Sequence, residues 1–403
     1  MMTVAGTQIP GRRVAWRWAR ENLFDGPWNT ALTVVMVAFT CAVLYGVGNF
    51  VFASAEWEVV TANRKLFFIG SYPRDEAWRV WTVVYVLAGL GGLSWALWSR
   101  ISPWLAGAVS VSMIPIFVFM AHGDVALLTL GSLAAFGGGY TLGKTPITAG
   151  RHNGSARAIA VTLWIATFPF SWVVLEGVPT HLWGGLMLTM FLTAFGITLA
   201  FPFGVLLALG RASTFPVIRI FCIAFIELIR AVPLVTILFM AAFLLPSMVR
   251  PERTLLFGIP VTGVELDTVL RALAGIVIFS AAYLAEIVRG GLQAVPRGQK
   301  EAAQALGLST FHILGFIVLP QALRAVIPAL VGQFISLFKD TSLVVVLALT
   351  DLLGVARLAG GQLEFSGRQA EVLLFIALIY WVIAFNMSRA SQQLEKNLGV
   401  GER

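Results

Sequence analysis

The run Gly138-Gly139-Tyr140-Thr141-Leu142-Gly143-Lys144-Thr145 fits the phosphate-binding loop pattern letter for letter. In that motif the loop N–H groups and a helix N-terminus cradle phosphate while the lysine reaches it. The chemistry requires a strand before the loop and a helix after it. Here an apolar run precedes the match. Pro146 follows it, and then Thr148-Ala149-Gly150-Arg151-His152-Asn153-Gly154, a poor helix former. The match reads as a glycine-rich helix end with a basic flank. Two other runs imitate nucleotide chemistry: Leu343 to Asp351 resembles an apolar strand ending in a magnesium-binding aspartate, and Leu358-Ala359-Gly360-Gly361-Gln362 a hydrolase signature loop. The topology derived below puts both at the opposite membrane face from Lys144, so the three cannot surround one nucleotide, and no ATP site is expected. His122, His152, His181 and His312 fall in loops or interfacial stretches without metal-ligand spacing. Gly-x-Ser-x-Gly and His-Glu-x-x-His are both missing from the sequence. Cys41 and Cys222 lie in apolar runs, which excludes a disulfide framework and a cysteine metal site.

The elements that must carry any remaining chemistry are apolar. Of 403 residues, 58% are hydrophobic and 12% charged, with a mean hydropathy of +0.85. A soluble globular chain carries roughly 25% charged residues. Half that leaves too little polar surface to cover a water-soluble particle, so the chain is expected to be an all-α polytopic membrane protein. The net charge of +8 does not indicate nucleic acid, because the basic residues are dispersed through short loops rather than gathered on one patch. Runs of about 20 apolar residues predict some ten membrane helices, near 28–52, 78–98, 103–121, 124–143, 158–175, 184–209, 220–245, 268–290, 326–350 and 371–388. His122-Gly123-Asp124 predicts a tight hairpin between the third and fourth. Placing the N-terminus in the cytoplasm puts 17 Lys and Arg inside and 9 outside, with Arg230 and Lys339 in the membrane. Both termini are therefore expected in the cytoplasm. Trp16-Arg17-Trp18-Ala19-Arg20 suits a basic interfacial helix. The first apolar run starts too late and runs too long for a cleaved signal peptide. The expected division is an accessory five-span region, 1–183, with a polar outer loop at 53–77, followed by a functional core, 184–403. The boundary is the turn Glu176-Gly177-Val178-Pro179-Thr180-His181.

The cytoplasmic connection 287–325 carries the most specific signal. Glu301 to Leu306 favour helix, Gly307 suits a helix C′ position, and Ser309 can cap a following helix. Two short helices broken at Gly307 are expected, with Pro320 and Pro328 kinking or ending the second before the ninth span. Ala302, Ala303 and Ala305 would let another surface approach the backbone, while Lys300 and Glu301 orient it. The spacing Glu301-Ala302-Ala303, Gly307, Ile317-x-Leu319-Pro320 resembles the EAA loop of ABC-importer permeases. In that family the loop is the coupling helix that seats in the ATPase subunit. Glu227-Leu228-Ile229-Arg230-Ala231-Val232-Pro233-Leu234 is similar to the E-x-x-R-G-x-P-L segment of the polar amino-acid, HisMQ-like subfamily, with Ala231 in place of glycine. Ser280 to Arg289 and Phe338 to Leu343 are similar to segments of the same subfamily. The resemblance covers roughly 184–403 and implies a core of five helices, the type I importer permease fold. The extra spans resemble the longer permeases of broad-range or acidic amino-acid importers.

Ionisable residues at membrane depth are costly, by about 2.5–3.5 kcal/mol on insertion scales, and face the bundle interior. Glu227 and Arg230, three apart on one span, can pair on a helix face, near a kink at Pro233. Lys339 and Asp340, expected near the middle of the ninth span, are followed by the hydroxyls of Thr341 and Ser342. A zwitterionic amino acid needs partners of both signs, which this cluster supplies. An internal ion pair that stabilises packing uses the same residues. The resemblance implies a permease that hydrolyses nothing and holds no cofactor, with ATP and Mg²⁺ on a separate ATPase homodimer. It further implies a homologous second permease, a periplasmic solute-binding protein, and a bacterial inner membrane location. A proton- or sodium-coupled secondary transporter using Lys339, Asp340, Glu227 and Glu286 as its relay is the chief alternative, and an exporter working without a binding protein is another. Neither makes use of the EAA loop as an importer does.

Overall fold

A computed structural model describes residues 18–98, 124–145, 153–248 and 267–398. The expected third span, His122 and His152 lie outside the described residues. The chain divides into two compact units, Met1–Trp57 and Glu58–Arg403. The first contains α1 (Pro27–Asn49), which starts behind Gly26 with Pro27 in its first turn and runs into a π turn, Phe50–Ser54. It is apolar on every side and exposed on every side, with no buried residue, as suits a helix whose solvent is lipid.

The second unit is helical almost throughout. In order it comprises α2 (Glu58–Ala62), α3 (Arg64–Ile69), α4 (Ala77–Trp98), α5 (Asp124–Gly143), α6 (Asn153–Leu175), α7 (Gly185–Arg211), α8 (Pro216–Ala231), α9 (Leu234–Met248), α10 (Thr268–Ala294), α11 (Arg297–Ala305), α12 (Thr310–His312), α13 (Leu319–Asp340), α14 (Leu352–Gly360) and α15 (Gln369–Leu398). A two-residue strand, β1 (Thr350–Asp351), bridges in parallel to Gly184 and Gly185. Among the described residues seven helices are long and apolar enough to cross a membrane, or eight with one bent pair counted as a span.

Small residues set the packing. The glycines of the phosphate-loop look-alike are the last turns of α5. Gly139 lies against Gly89 of α4, with no space for a Cβ, and Gly92 lies against Phe136. Close backbone approach of this kind is how membrane helices gain dispersion contact. Lys144 folds back over the Tyr140 ring at 4.6 Å. At the centre, α7 packs along α10 and α10 along α13. Aromatic rings pack across the expected boundary at 176–181. Phe168 meets Phe195 at 5.2 Å, Trp172 meets Trp183 at 5.6 Å, and Trp172 meets Phe191 at 6.4 Å. These large rings join α6 to Trp183 and to α7.

Two spans differ from expectation. The expected 220–245 span is a pair, α8 and α9, bent by 107°. Pro233 forces this, because the residue before proline is driven out of the helical region; Val232 sits at φ −106, ψ 134. The expected 326–350 span begins earlier, at Thr310, and its helical run reaches Leu347. Pro320 and Pro328 neither end nor delay it. A π turn over Ile313–Val318 shifts the bonding pattern just before Pro320, which sits in the first turn of α13 where a missing N–H costs little. After Asp340 the helix tightens to a 3-10 turn, Thr341–Leu347, and closes at Ala348, φ 59.

Candidate functional site

The EAA-like residues occupy the predicted break. Helix α11 ends at Ala305, Gly307 takes φ 74, and the Ser309 hydroxyl accepts from His312 N at the start of α12. Ala303 is buried in a small apolar cluster with Ile313 and Val318, against which Ile317 packs. Leu319 is half-buried, while Glu301, Ala302, Gly307 and Pro320 are exposed. The motif therefore has an inward half that fixes α11 on the following turns and an outward half that presents it. Around it stand Leu306, Phe311 and Phe316, exposed at 79%, 79% and 73%.

Glu227 and Arg230 are both present on α8, but their partners lie on other helices. Glu227 binds Arg211 of α7 at 2.9 Å. Arg230 approaches Glu286 of α10 at 3.8 Å and lies over the Tyr283 ring at 5.4 Å. Glu286 is the hub, since Arg211 at 2.6 Å and Arg289 at 2.8 Å reach it as well. The pairing expected within α8 gives way to contacts with neighbouring helices, Glu227 turning to Arg211 and Arg230 to Glu286. Arg211 is a member that sequence spacing cannot reveal, since its partners are distant in the chain.

Lys339, Asp340, Thr341 and Ser342 do not lie mid-span; they mark the junction of α13 with the 3-10 turn. Lys339 is exposed, and Asp340 is half-buried and hydrogen-bonded to Ser336. Among the described residues the two form no ion pair with each other. Thr341 is fully buried, donating to Phe338 O at 2.7 Å. It belongs to a buried polar cluster with Thr189, Asp351 and Tyr380, in which the Tyr380 hydroxyl donates to Asp351 Oδ2 at 3.5 Å and is hydrogen-bonded with both threonines. Asp351 also caps α14, accepting from Gly354 N at 2.9 Å and Leu353 N at 3.2 Å. Burial pushes its carboxyl up to about 6, against the downward pull of those N–H groups. Aspartate before an apolar helix is a readable N-cap signal; its resemblance to a magnesium-binding strand end hides that role in the sequence.

One face of α13 points away from the rest of the described residues. Arg324, Pro328, Ala329, Gly332, Ser336 and Lys339 are exposed at helical spacing, and nothing stands within 4 Å of a Cβ built on Gly332. By contrast α8 exposes large apolar groups, Val217, Ile220 and Phe221. Small and charged side chains suit water or a closely packed helix, not acyl chains. Among the described residues no cluster of His, Cys, Asp and Glu could hold a metal.

Apolar spans, a sharply broken helix and an exposed stripe of small and charged residues describe a multi-pass membrane protein. The family described as binding-protein-dependent transport system inner membrane component matches residues 200–400. The chain is 33% identical to the inner membrane amino-acid ABC transporter permease protein YhdY of Escherichia coli (strain K12), over 95% of this chain and 93% of that one. It is also 33% identical to the glutamate/glutamine/aspartate/asparagine transport system permease protein BztC of Rhodobacter capsulatus, over 95% and 94%. BztB of the same organism, named for the same transport system, is 40% identical over 32% of this chain and 30% of its own length. The chain belongs to the family of amino-acid ABC transporter permeases, multi-pass proteins of the bacterial inner membrane.

Proposed function

We propose that this permease is one half of the translocation path of an ATP-driven importer for polar and acidic L-amino acids, with glutamate, glutamine, aspartate and asparagine as the first candidates. The substrate class follows from the system for which BztC is named. That BztB and BztC are named as permeases of one system supports a homologous second permease beside this chain. Two copies of a separate ATPase hold ATP and Mg²⁺; this chain binds no cofactor and catalyses no reaction. A periplasmic solute-binding protein delivers the amino acid.

The observation that carries the reading is the arrangement of 297–320. A helix anchored through Ala303 presents Glu301 and Ala302 outward beside the exposed Leu306, Phe311 and Phe316. Apolar side chains gathered on a water-facing surface call for a protein cover. With the ATPase as that cover the loop is cytoplasmic, and so are both termini. Closure of the ATPase pair would draw the loops together and tilt α10 and α13, and the difference in contacts between the two states would supply the coupling. The stripe on α13 would line the path, and Lys339, Asp340, Thr341 and Ser342 at its end would meet the ammonium and carboxylate of the substrate. Glu227 and Arg230 would act at the inner end, holding α8 to α7 and α10.

Uptake of labelled glutamate by membrane vesicles tests this. Uptake should require ATP and survive collapse of the proton gradient. Glu301→Lys and Gly307→Val should each abolish most of it, while the chain still inserts and accumulates. Normal uptake by both variants would remove the coupling role. Uptake that needs the proton gradient but not ATP would make the chain a secondary transporter.

A further inference from the structure

The polar segment between the first two spans is folded down onto the end of the bundle that carries Asp351. Val59, Val60, Phe67 and Tyr72 have no exposed surface. Phe67 meets Phe375 of α15 edge to face at 5.2 Å. Asn63 and Gln362 exchange two amide hydrogen bonds, at 3.1 and 2.9 Å. The backbones touch as well. A Cβ on Gly70, φ 64, would come within 2.6 Å of Gly184 Cα, and one on Gly185, φ 60, would strike the carbonyl oxygens of Leu66 and Phe67. Gly184 and Gly185 are bridged in turn to Thr350 and Asp351, and the Thr350 hydroxyl donates to Trp183 O at 3.1 Å. Three stretches distant in sequence thus meet backbone to backbone.

We propose that residues 58–72 are a fixed cover on the outer wall of the permease, and that the cover, the 184–185 junction and residues 350–362 move as one rigid body during transport. Rotating side chains cannot relieve contacts that fit only because the opposed residues are glycines. Lifting the cover would expose four fully buried side chains and part the reciprocal amide pair. Close-packed interiors shift between discrete arrangements rather than sliding, so opening toward the outside takes place at the free face of α13, not beneath the cover. The cover makes the accessory region part of the transport machinery rather than an appendage. Its outer position rests on the orientation proposed above.

The test is a buried thiol. Val60→Cys, close in size to the native residue, is made in a Cys41→Ala chain; Cys41 is exposed, whereas Cys222 is buried and stays. Modification by a membrane-impermeant maleimide is timed in intact cells during amino-acid uptake and after de-energising them. Leu363→Cys, at a residue 97% exposed, reports which side of the membrane the cover occupies. The Phe67→Ala change added to Val60→Cys reports the rate with the cover loosened. The expected result is slow labelling of the Val60→Cys chain at one rate in both conditions, at least about tenfold slower than with Phe67→Ala. A rise of about tenfold when uptake begins would overturn the proposal by showing that the cover lifts. Val59→Cys gives the same comparison should the first chain not accumulate. Failure of the Leu363→Cys chain to react from outside would sink the orientation alone, and the same timing in inverted vesicles then decides the cover.

Discussion

Asp340 and Asp351 stand on either side of one 3-10 turn, and their surroundings set them different tasks. Asp340 is half-buried, bonded to Ser336, at the end of the polar stripe. Removing its charge should leave the fold intact and alter which amino acid is taken up. Asp340→Asn is expected to change the ratio of glutamate to glutamine uptake by about tenfold, the scale of one charge-assisted contact. Unchanged kinetics across several amino acids would reduce it to a packing role. Asp351 is sealed inside the protein, and burial raises its carboxyl to about 6. A raised folded-state value means that its contribution to stability is fully present below the unfolded value near pH 4 and is lost as the pH climbs through about 6. That contribution is about 3 kcal/mol. In detergent, the difference in melting temperature between the native chain and Asp351→Asn should therefore vary between pH 4.5 and 7 and level off above. Parallel curves would contradict the assignment. The sequence singles out Asp340 through its polar neighbours, whereas the burial of Asp351 is not legible, because both aspartates occur in similar apolar surroundings and only their depth differs.

Helices are held to one another by two different devices. Between α4 and α5 the device is the absence of side chains at Gly89, Gly92 and Gly139. Gly139→Leu should force the pair apart and lower stability by about 3 kcal/mol or more, read as an earlier melt and loss of a monodisperse peak. A normal melt would mean that the pair is looser than the geometry requires. Among α7, α8 and α10 the device is ionic. Glu286→Gln leaves Arg211, Arg230 and Arg289 around a neutral group. The hub is partly open to solvent, so the expected cost is about 2 kcal/mol, below the full penalty for a buried pair. Glu286→Asp should recover part of it, and a double-mutant cycle with Arg211→Gln should show coupling. Independent effects would dissolve the hub. The Gly307 break and the Ser309 cap are legible in sequence, since both act within one turn of chain. The π turn before Pro320 is not, because a proline in an apolar run is compatible with ending a helix or with entering one.

At the scale of the whole molecule, the distribution of charge predicts the orientation proposed above. Most Lys and Arg residues fall in segments that the alternation of spans assigns to one side. A cysteine at the exposed Gln304 should react with an impermeant maleimide only after the membrane is opened. Reaction in sealed cells would invert the topology and remove the ATPase-docking role of the loop. The same alternation puts residues 58–72 on the side opposite that loop. In the proposed assembly, substrate delivery and energy supply would enter at the two ends of α10 and α13.

Composition and the lengths of apolar runs were sufficient to establish a multi-span helical membrane protein, because lipid demands that backbone polar groups be satisfied within each segment. Short-range signals also established the helix–glycine–helix form of the 287–325 loop and placed a kink at Pro233, though not the full break into two helices. What only the tertiary structure decided is which distant residues share a site. Arg211 with Glu286, Thr341 with Tyr380, and Gly70 with Gly184 are joined by packing between elements far apart in the chain. Membrane helices offer one another similar apolar faces, so hydrophobic pattern cannot say which pair will meet. The choice rests on where small residues allow close approach and where a buried charge finds its partner.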